Sequence, residues 1–147
     1  MLDIKVYTPF EPATVSEKEK VVDFLYEHLD QFGDPKEHIL KAIQYAQKEI
    51  ASHGGFVLAG FLEGKIVGSV VINRTGMEGY IPENILVYIA VDGSQRGKGI
   101  GKQLMQKAIS LAQGDIALHV EPDNPARHLY TKLGFTNKYL EMRLQNK

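Results

Sequence analysis

The chain has 147 residues, 44% hydrophobic and 24% charged, with a formal net charge of -1. One domain (residues 1-147) is expected at this length, large enough to bury a substantial core, and the near-neutral charge gives no general attraction to nucleic acid. Cysteine is absent, which excludes disulfides, a thiolate nucleophile and cysteine-ligated zinc. No cationic leader and no apolar run of membrane-spanning length is present, so a cytoplasmic protein with no membrane partner is expected.

In chain order, Ile4–Tyr7 alternates as a short strand and runs into the Pro-rich turn Thr8–Pro12. Ser16 followed by Glu19 matches a capping box, and Val21, Val22, Leu25, Leu29 and Phe32 then recur at helical spacing up to Gly33. Asp34-Pro35 opens a second helix, carried by Ile39, Leu40, Ile43, Ala46 and Ile50 and closed by Ser52–Gly55. Phe56–Leu62 and Lys65–Asn73 read as a hairpin turning at Glu63-Gly64, with Gly60 and Gly68 marking bulges or close approaches.

Arg74 to Asn84 lacks periodicity and reads as a loop, a common place for function. Ile85–Val91 is apolar at nearly every position, as suits a central strand covered on both faces. Ile100, Leu104, Met105, Ala108, Ile109 and Ala112 mark a third helix ending at Gly114. Ile116–Glu121 is a further strand, parallel to the central one through a right-handed crossover. Asp123–Ala126 opens a last helix through Tyr130 and Leu133, stopped by Gly134, and Phe135–Leu144 is strand-like.

Between the central strand and the third helix lies Arg96-Gly-Lys-Gly-Ile-Gly101. Three alternate glycines flanked by Arg96, Lys98 and Lys102 suit a turn whose N–H groups close on a phosphate at a helix N-terminus. A mononucleotide P-loop fails, because Gln103 replaces its hydroxyl residue and Arg96 its first glycine. The dinucleotide fingerprint fails too, since Lys102 stands where its third glycine belongs. From the residues alone, a ligand-free strand-to-helix turn stays open as an alternative. The five histidines, at positions 28, 38, 53, 119 and 128, form no ligand pair at helical or strand spacing, so no metal is expected.

Ile89–Gly101, with Arg96, Gly99 and Gly101 at the cradle positions, resembles the acetyl-CoA motif of the GNAT (GCN5-related) N-acetyltransferase superfamily. Asn124-Pro-Ala-Arg-His-Leu-Tyr130-Thr-Lys-Leu-Gly-Phe135 is similar to that family's final motif. The element order β-α-α-β-β-β-α-β-α-β(-β) agrees over nearly the whole chain. The resemblance implies a single α/β (α+β) domain with a mixed sheet of about six or seven strands and four helices. It also implies acetyl-CoA as cosubstrate and acetyl transfer to a primary amine by direct attack. The acceptor would be a small molecule or a peptide. This is an acyltransferase of the N-acetyl kind, not an aminoacyl-group transferase; a non-catalytic acyl-CoA-binding module is the alternative.

By the same resemblance, the Ile89 N–H polarises the thioester, and Ile89, Ala90 and Val91 hold pantetheine. Arg96, Gly97, Lys98, Gly99, Ile100, Gly101 and Lys102 receive the pyrophosphate. Tyr130 is the acid toward the thiolate, and Asn124 touches the cofactor or merely caps the last helix. His119 occupies the place of a general base, with Glu121 on the same strand face as an alternative and Glu83 as an outside candidate. The acceptor would lie among Leu29–Ile43, Thr75–Asn84 and Phe135–Leu144. That last stretch is short for the family's two C-terminal strands, which leaves either one continuous strand or pairing across a homodimer.

Overall fold

The computed structural model describes residues 1–146. A sheet forms from β1 (Asp3–Tyr7), β2 (Gly55–Leu62), β3 (Lys65–Arg74), β4 (Asn84–Val91) and β5 (Ile116–Leu118), lying side by side in that order. The first three pairings are antiparallel and β4–β5 is parallel, as a strand–helix–strand crossover requires. The helices are α1 (Val15–Leu29), α2 (Lys36–Ala46), α3 (Ile100–Leu111) and α4 (Ala126–Lys132).

Side-chain alternation along the strands divides the core in two. Val57, Ala59, Val71, Tyr88 and Ala90 face α1 and α2, meeting Val21, Leu25, Ile39 and Ile43. Phe56, Leu58, Val70, Ile72 and Leu86 face α3, meeting Ile100, Leu104, Met105 and Ala108. Gly68 is the close approach its position suggested: a Cβ there would stand 2.5 Å from Leu104 Cδ1. Gly60 marks a bulge against β3, and Glu63-Gly64 turns the hairpin with φ of 50° and 79°, the signature of a type I′ turn.

Several boundaries differ from expectation. The capping box is Thr14 with Glu17, not Ser16 with Glu19; the Thr14 N–H donates to Glu17 Oε1 at 2.9 Å and the Glu17 N–H to Thr14 Oγ1 at 3.1 Å. Both residue pairs have the box spacing, and the Pro9–Pro12 turn delivers the chain to the helix two residues earlier. α1 ends at Leu29, and a 3-10 turn over Asp30–Phe32 replaces its expected last turn. α2 stops at Ala46, well short of Ile50, where Lys48 adopts φ 57°.

The sheet has five strands among the described residues, not six or seven. β5 ends at Leu118, so His119 and Glu121 lie beyond it. Phe135 packs against the α3-side core, but Thr136–Asn146 forms no strand; alternation alone carries no partner, and a strand needs one. Among the described residues, no helix is long and apolar enough to cross a membrane.

Candidate active site at the divergence of two parallel strands

β4 and β5 pair only at Asn84–Leu86 with Ile116–Leu118. The next residue of β4 is a bulge: Leu86 opposes Ile72 and Tyr88 opposes Val71, which leaves Val87 without a counterpart on β3. A bulge bends its strand and ends pairing, so β4 leaves β5 where it begins. From Tyr88 to Val91 it is held by β3 alone.

The register identifies the groups this frees. The Asp92 N–H donates to the Val67 carbonyl at 2.8 Å, and antiparallel ladders alternate hydrogen-bonded with non-hydrogen-bonded pairs. Ala90 and Tyr88 therefore turn their backbone groups toward β3. Ile89 and Val91 turn theirs to the open edge, among the described residues without a strand to meet them. Their side chains pack toward α3, so an apolar side chain and a free backbone donor occur at the same position.

The turn beyond β4 is braced from within. Asp92 Oδ1 accepts from the Ser94 N–H and from Ser94 Oγ, both at 2.9 Å, and those bonds hold its carboxyl below the usual carboxylate range. Gly97 and Gly99 have φ of 83° and 77°, a region that costs other residues about 1–2 kcal/mol. A Cβ added to either would meet nothing within 4 Å. Gly99 is the N-cap of α3 and offers no side-chain cap. Its carbonyl receives the Gln103 N–H at 3.0 Å, while the N–H groups of Ile100, Gly101 and Lys102 find no acceptor among the described residues.

Gly101 has a different reason to be glycine. A Cβ there would lie 3.3 Å from Leu129 Cδ2 and 3.5 Å from Val91 Cγ2. The start of α3, the end of β4 and the middle of α4 thus meet at one small residue. Tyr130, beside Leu129, is 7% exposed; its ring centroid is 5.8 Å from that of Phe135. Burial pushes its phenol up to about 12, so it keeps its proton at neutral pH. Among the described residues its hydroxyl makes no hydrogen bond, yet no side-chain oxygen or nitrogen is both buried and unpartnered.

The remaining residues singled out from sequence fall in different places. Arg96, Lys98 and Lys102 are exposed around the turn, with Lys98 Nζ donating to Gln95 Oε1 at 2.7 Å. Asn124 Oδ1 accepts from the Ala126 N–H at 2.9 Å, across Pro125, the N-cap of α4. His119 and Glu121 are exposed and, lying past β5, do not share a strand face. Glu83 bridges the Asp115 N–H at 2.7 Å and the Gly79 N–H at 2.9 Å. The Gly79 bond, followed by that of Asp115, lowers its pKa, so it organises the loop and is poorly suited to be a base. The described residues contain no group of His, Asp or Glu able to hold a metal.

Three contributors carry no motif. Asn84, 1% exposed, donates from Nδ2 to the carbonyls of Gln113 at 2.8 Å and Asp115 at 3.2 Å, tying together the start of both parallel strands. Tyr88 Oη donates to Asp34 Oδ2 at 2.5 Å, linking the loop before α2 to β4. Burial, then the Asp34 bond, raises the Tyr88 phenol. Asp92 alone was legible in principle, as Asp-Gly-Ser is an Asx-turn pattern.

Residues 21–135 match the family model described as acetyltransferase (GNAT) family. No curated protein matches the chain in sequence. Among solved structures, a ribosomal-protein-alanine N-acetyltransferase from Brucella melitensis biovar Abortus 2308 is 17% identical, with 99% of this chain and 100% of that one covered and a TM-score of 0.67. An aminoglycoside acetyltransferase from an uncultured soil metagenomic sample is 22% identical, with coverages of 100% and 99% and a TM-score of 0.70. An aminoglycoside N-acetyltransferase in complex with CoA is 16% identical, with coverages of 100% and 95% and a TM-score of 0.72. At these identities the likeness is one of fold.

Proposed function

The chain belongs to the acetyltransferase (GNAT) family, and on that premise we propose that it is an acetyl-CoA-dependent N-acetyltransferase that acts on a primary amine. The observation that carries this reading is the free edge of β4: Ile89 and Val91 turn backbone donors and acceptors into the opening beside β5. A structural relative bound to CoA has the same fold.

Acetyl-CoA supplies the acyl group as a thioester, and the chain offers a fit at both of its ends. Gly97 and Gly99 leave open space above a turn, and the Ile100, Gly101 and Lys102 N–H groups point out of the start of α3. Donors of this kind, with Arg96, Lys98 and Lys102 around them, suit a pyrophosphate. Ile89 then donates its N–H to the thioester oxygen, where negative charge grows as the amine nitrogen attacks the carbonyl carbon. As the new C–N bond forms and the C–S bond breaks, the Tyr130 hydroxyl gives its proton to the departing sulfur, a role that a phenol held up to about 12 is protonated to perform; the proton that the nitrogen sheds in becoming an amide passes to water, from which the phenolate is restored.

The incoming amine must reach this site uncharged. His119 would take its proton directly or through water, and Glu121 would share that task. Both sit in the exposed connection between β5 and α4, and although the Glu121 carbonyl accepts the Asn124 N–H, neither side chain makes a hydrogen bond among the described residues. The test is release of CoA thiol when the protein meets acetyl-CoA and a panel of primary amines, including aminoglycosides and N-terminal peptides. Amine-dependent release is expected. Tight CoA binding without release from any amine would instead identify a non-catalytic acyl-CoA-binding module.

A further inference from the structure

The opening between β4 and β5 has two faces, and the groups assigned to the cosubstrate occupy one of them. Ile100 at the start of α3, Leu129 on α4 and the side chains of Ile89 and Val91 all belong to the α3-side core. The other face is bounded by α1 and α2. There the bulge lets two consecutive residues of β4, Val87 and Tyr88, both pack toward the helices. One peptide unit joins Tyr88 to Ile89, so the Ile89 N–H and the Tyr88 phenol are carried side by side. Tyr88 is 8% exposed, yet its hydroxyl ends on a surface group, Asp34. Asp34 stands just before Pro35, the N-cap of α2, where an acidic residue ordinarily serves its helix. Here it does not: no side chain caps α2. Among the described residues the one hydrogen bond of the Asp34 side chain is the 2.5 Å bond from Tyr88 Oη to Oδ2. The chain bends to deliver it, with Asp30 at φ 53° and ψ -127°, a backbone that residues other than glycine rarely adopt. A carboxylate accepts several hydrogen bonds, so Oδ1 is left over. No cation of the described residues pairs with Asp34; its near neighbour Lys36 reaches Asp23 instead, at 3.0 Å.

We propose that Asp34 determines which amine is acetylated: its carboxylate, pinned by Tyr88, takes a second ammonium group of the acceptor, so that the preferred substrate is a diamine. This rests on the acetyl transfer proposed above. One nitrogen of the diamine attacks the thioester at the Ile89 edge, and the other stays charged against Asp34. An anion already held by a buried donor loses little freedom when the cation arrives, and the charge strengthens the hydrogen bond it accepts. Because the phenol and the Ile89 N–H share one peptide unit, the two ends of the acceptor are held at a fixed separation. A monoamine meets only one of them.

The experiment compares kcat/KM, read as CoA thiol release from acetyl-CoA by the full chain, for straight-chain monoamines and diamines of equal length from propyl to octyl. A diamine is expected to exceed the monoamine of its length by about tenfold to a hundredfold, the range of one charged hydrogen bond. The preference should peak at one chain length, since both ends are held. Asp34→Asn keeps an oxygen for the Tyr88 hydroxyl but removes the charge, and should bring diamine and monoamine together. Tyr88→Phe keeps the charge but lets it swing, and should give a ratio in between. A general loss of structure would lower both substrates alike and leave their ratio in place. Equal kcat/KM for the two classes in the parent protein, or a diamine preference that Asp34→Asn leaves intact, would overturn the inference while acetyl transfer stood. Absence of thiol release from every amine would overturn the proposed acetyl transfer and this inference with it.

Discussion

At the residue scale, Tyr130 and Asn84 separate chemistry from architecture. The Tyr130 hydroxyl has no hydrogen-bond partner among the described residues, so Tyr130→Phe removes only a proton donor. It is expected to lower kcat by about 10²–10⁴-fold while CoA affinity and the thermal midpoint stay near those of the parent, as calorimetry and a thiol-release assay would record. Asn84 is the reverse case. Its Nδ2 serves two carbonyls from a buried position; that of Asp115 also accepts the Asn84 N–H, so only the Gln113 carbonyl depends on the side chain, a loss of about 1–3 kcal/mol. Asn84→Ala should therefore destabilise the protein by roughly 1–3 kcal/mol in urea unfolding. No periodicity announces such a residue; it reads as the end of a loop until the strand it anchors is known.

At the element scale, the turn after β4 combines two uses of glycine. Gly99→Ala meets no neighbouring atom, so its cost is the left-handed backbone, about 1–2 kcal/mol, and a mispositioned start to α3. Gly101→Val has no conformational penalty of that kind but would push Leu129 and Val91 apart, an overpacking cost of about 1–3 kcal/mol. Both variants are expected to weaken CoA binding measured by calorimetry, and only Gly101→Val to loosen α4, read as faster amide exchange near Tyr130. The elements themselves were largely legible. The hairpin at Glu63-Gly64, the amphipathic helices and the strand–turn–helix around Arg96–Gly101 all follow from local patterns. What local pattern could not supply was partnership. β5 is three residues long because β4 turns away at Val87, and Phe135–Leu144 is no strand because nothing in its own chain pairs with it. Of the base candidates, His119 came from the family resemblance, and only Glu121 depended on that strand, whose alternation placed it on the face of His119.

At the scale of the molecule, three tyrosines link stability to alkaline pH. Burial, foremost, raises the phenols of Tyr7 and Tyr130 to about 12, and raises that of Tyr88 as well. An unfolded phenol ionises near 10, so between pH 10 and 12 the native state binds more protons than the unfolded one and stability must fall as pH rises. The expected slope is about 1.4 kcal/mol per pH unit for each tyrosine involved. Acid acts through other groups. The carboxyls of Glu17, Glu83 and Asp92 are lowered chiefly by backbone N–H bonds, so their contribution is present above the ordinary carboxylate pKa and is lost as pH falls through their native values. Urea midpoints followed across pH would trace a plateau between these two declines.

The proposed site joins the scales, because one bulge frees a strand edge, one turn presents a helix start, and one small residue brings both against α4. Backbone amide chemical shifts, followed by nuclear magnetic resonance as acetyl-CoA is added, test that arrangement most directly. Ile89 and Val91 on the open edge, together with Arg96 to Lys102, are expected to move in parallel and saturate at a single Kd. Unchanged amides at Ile89 and Val91, with saturating shifts confined to another face, would contradict the assignment of this opening to the cosubstrate.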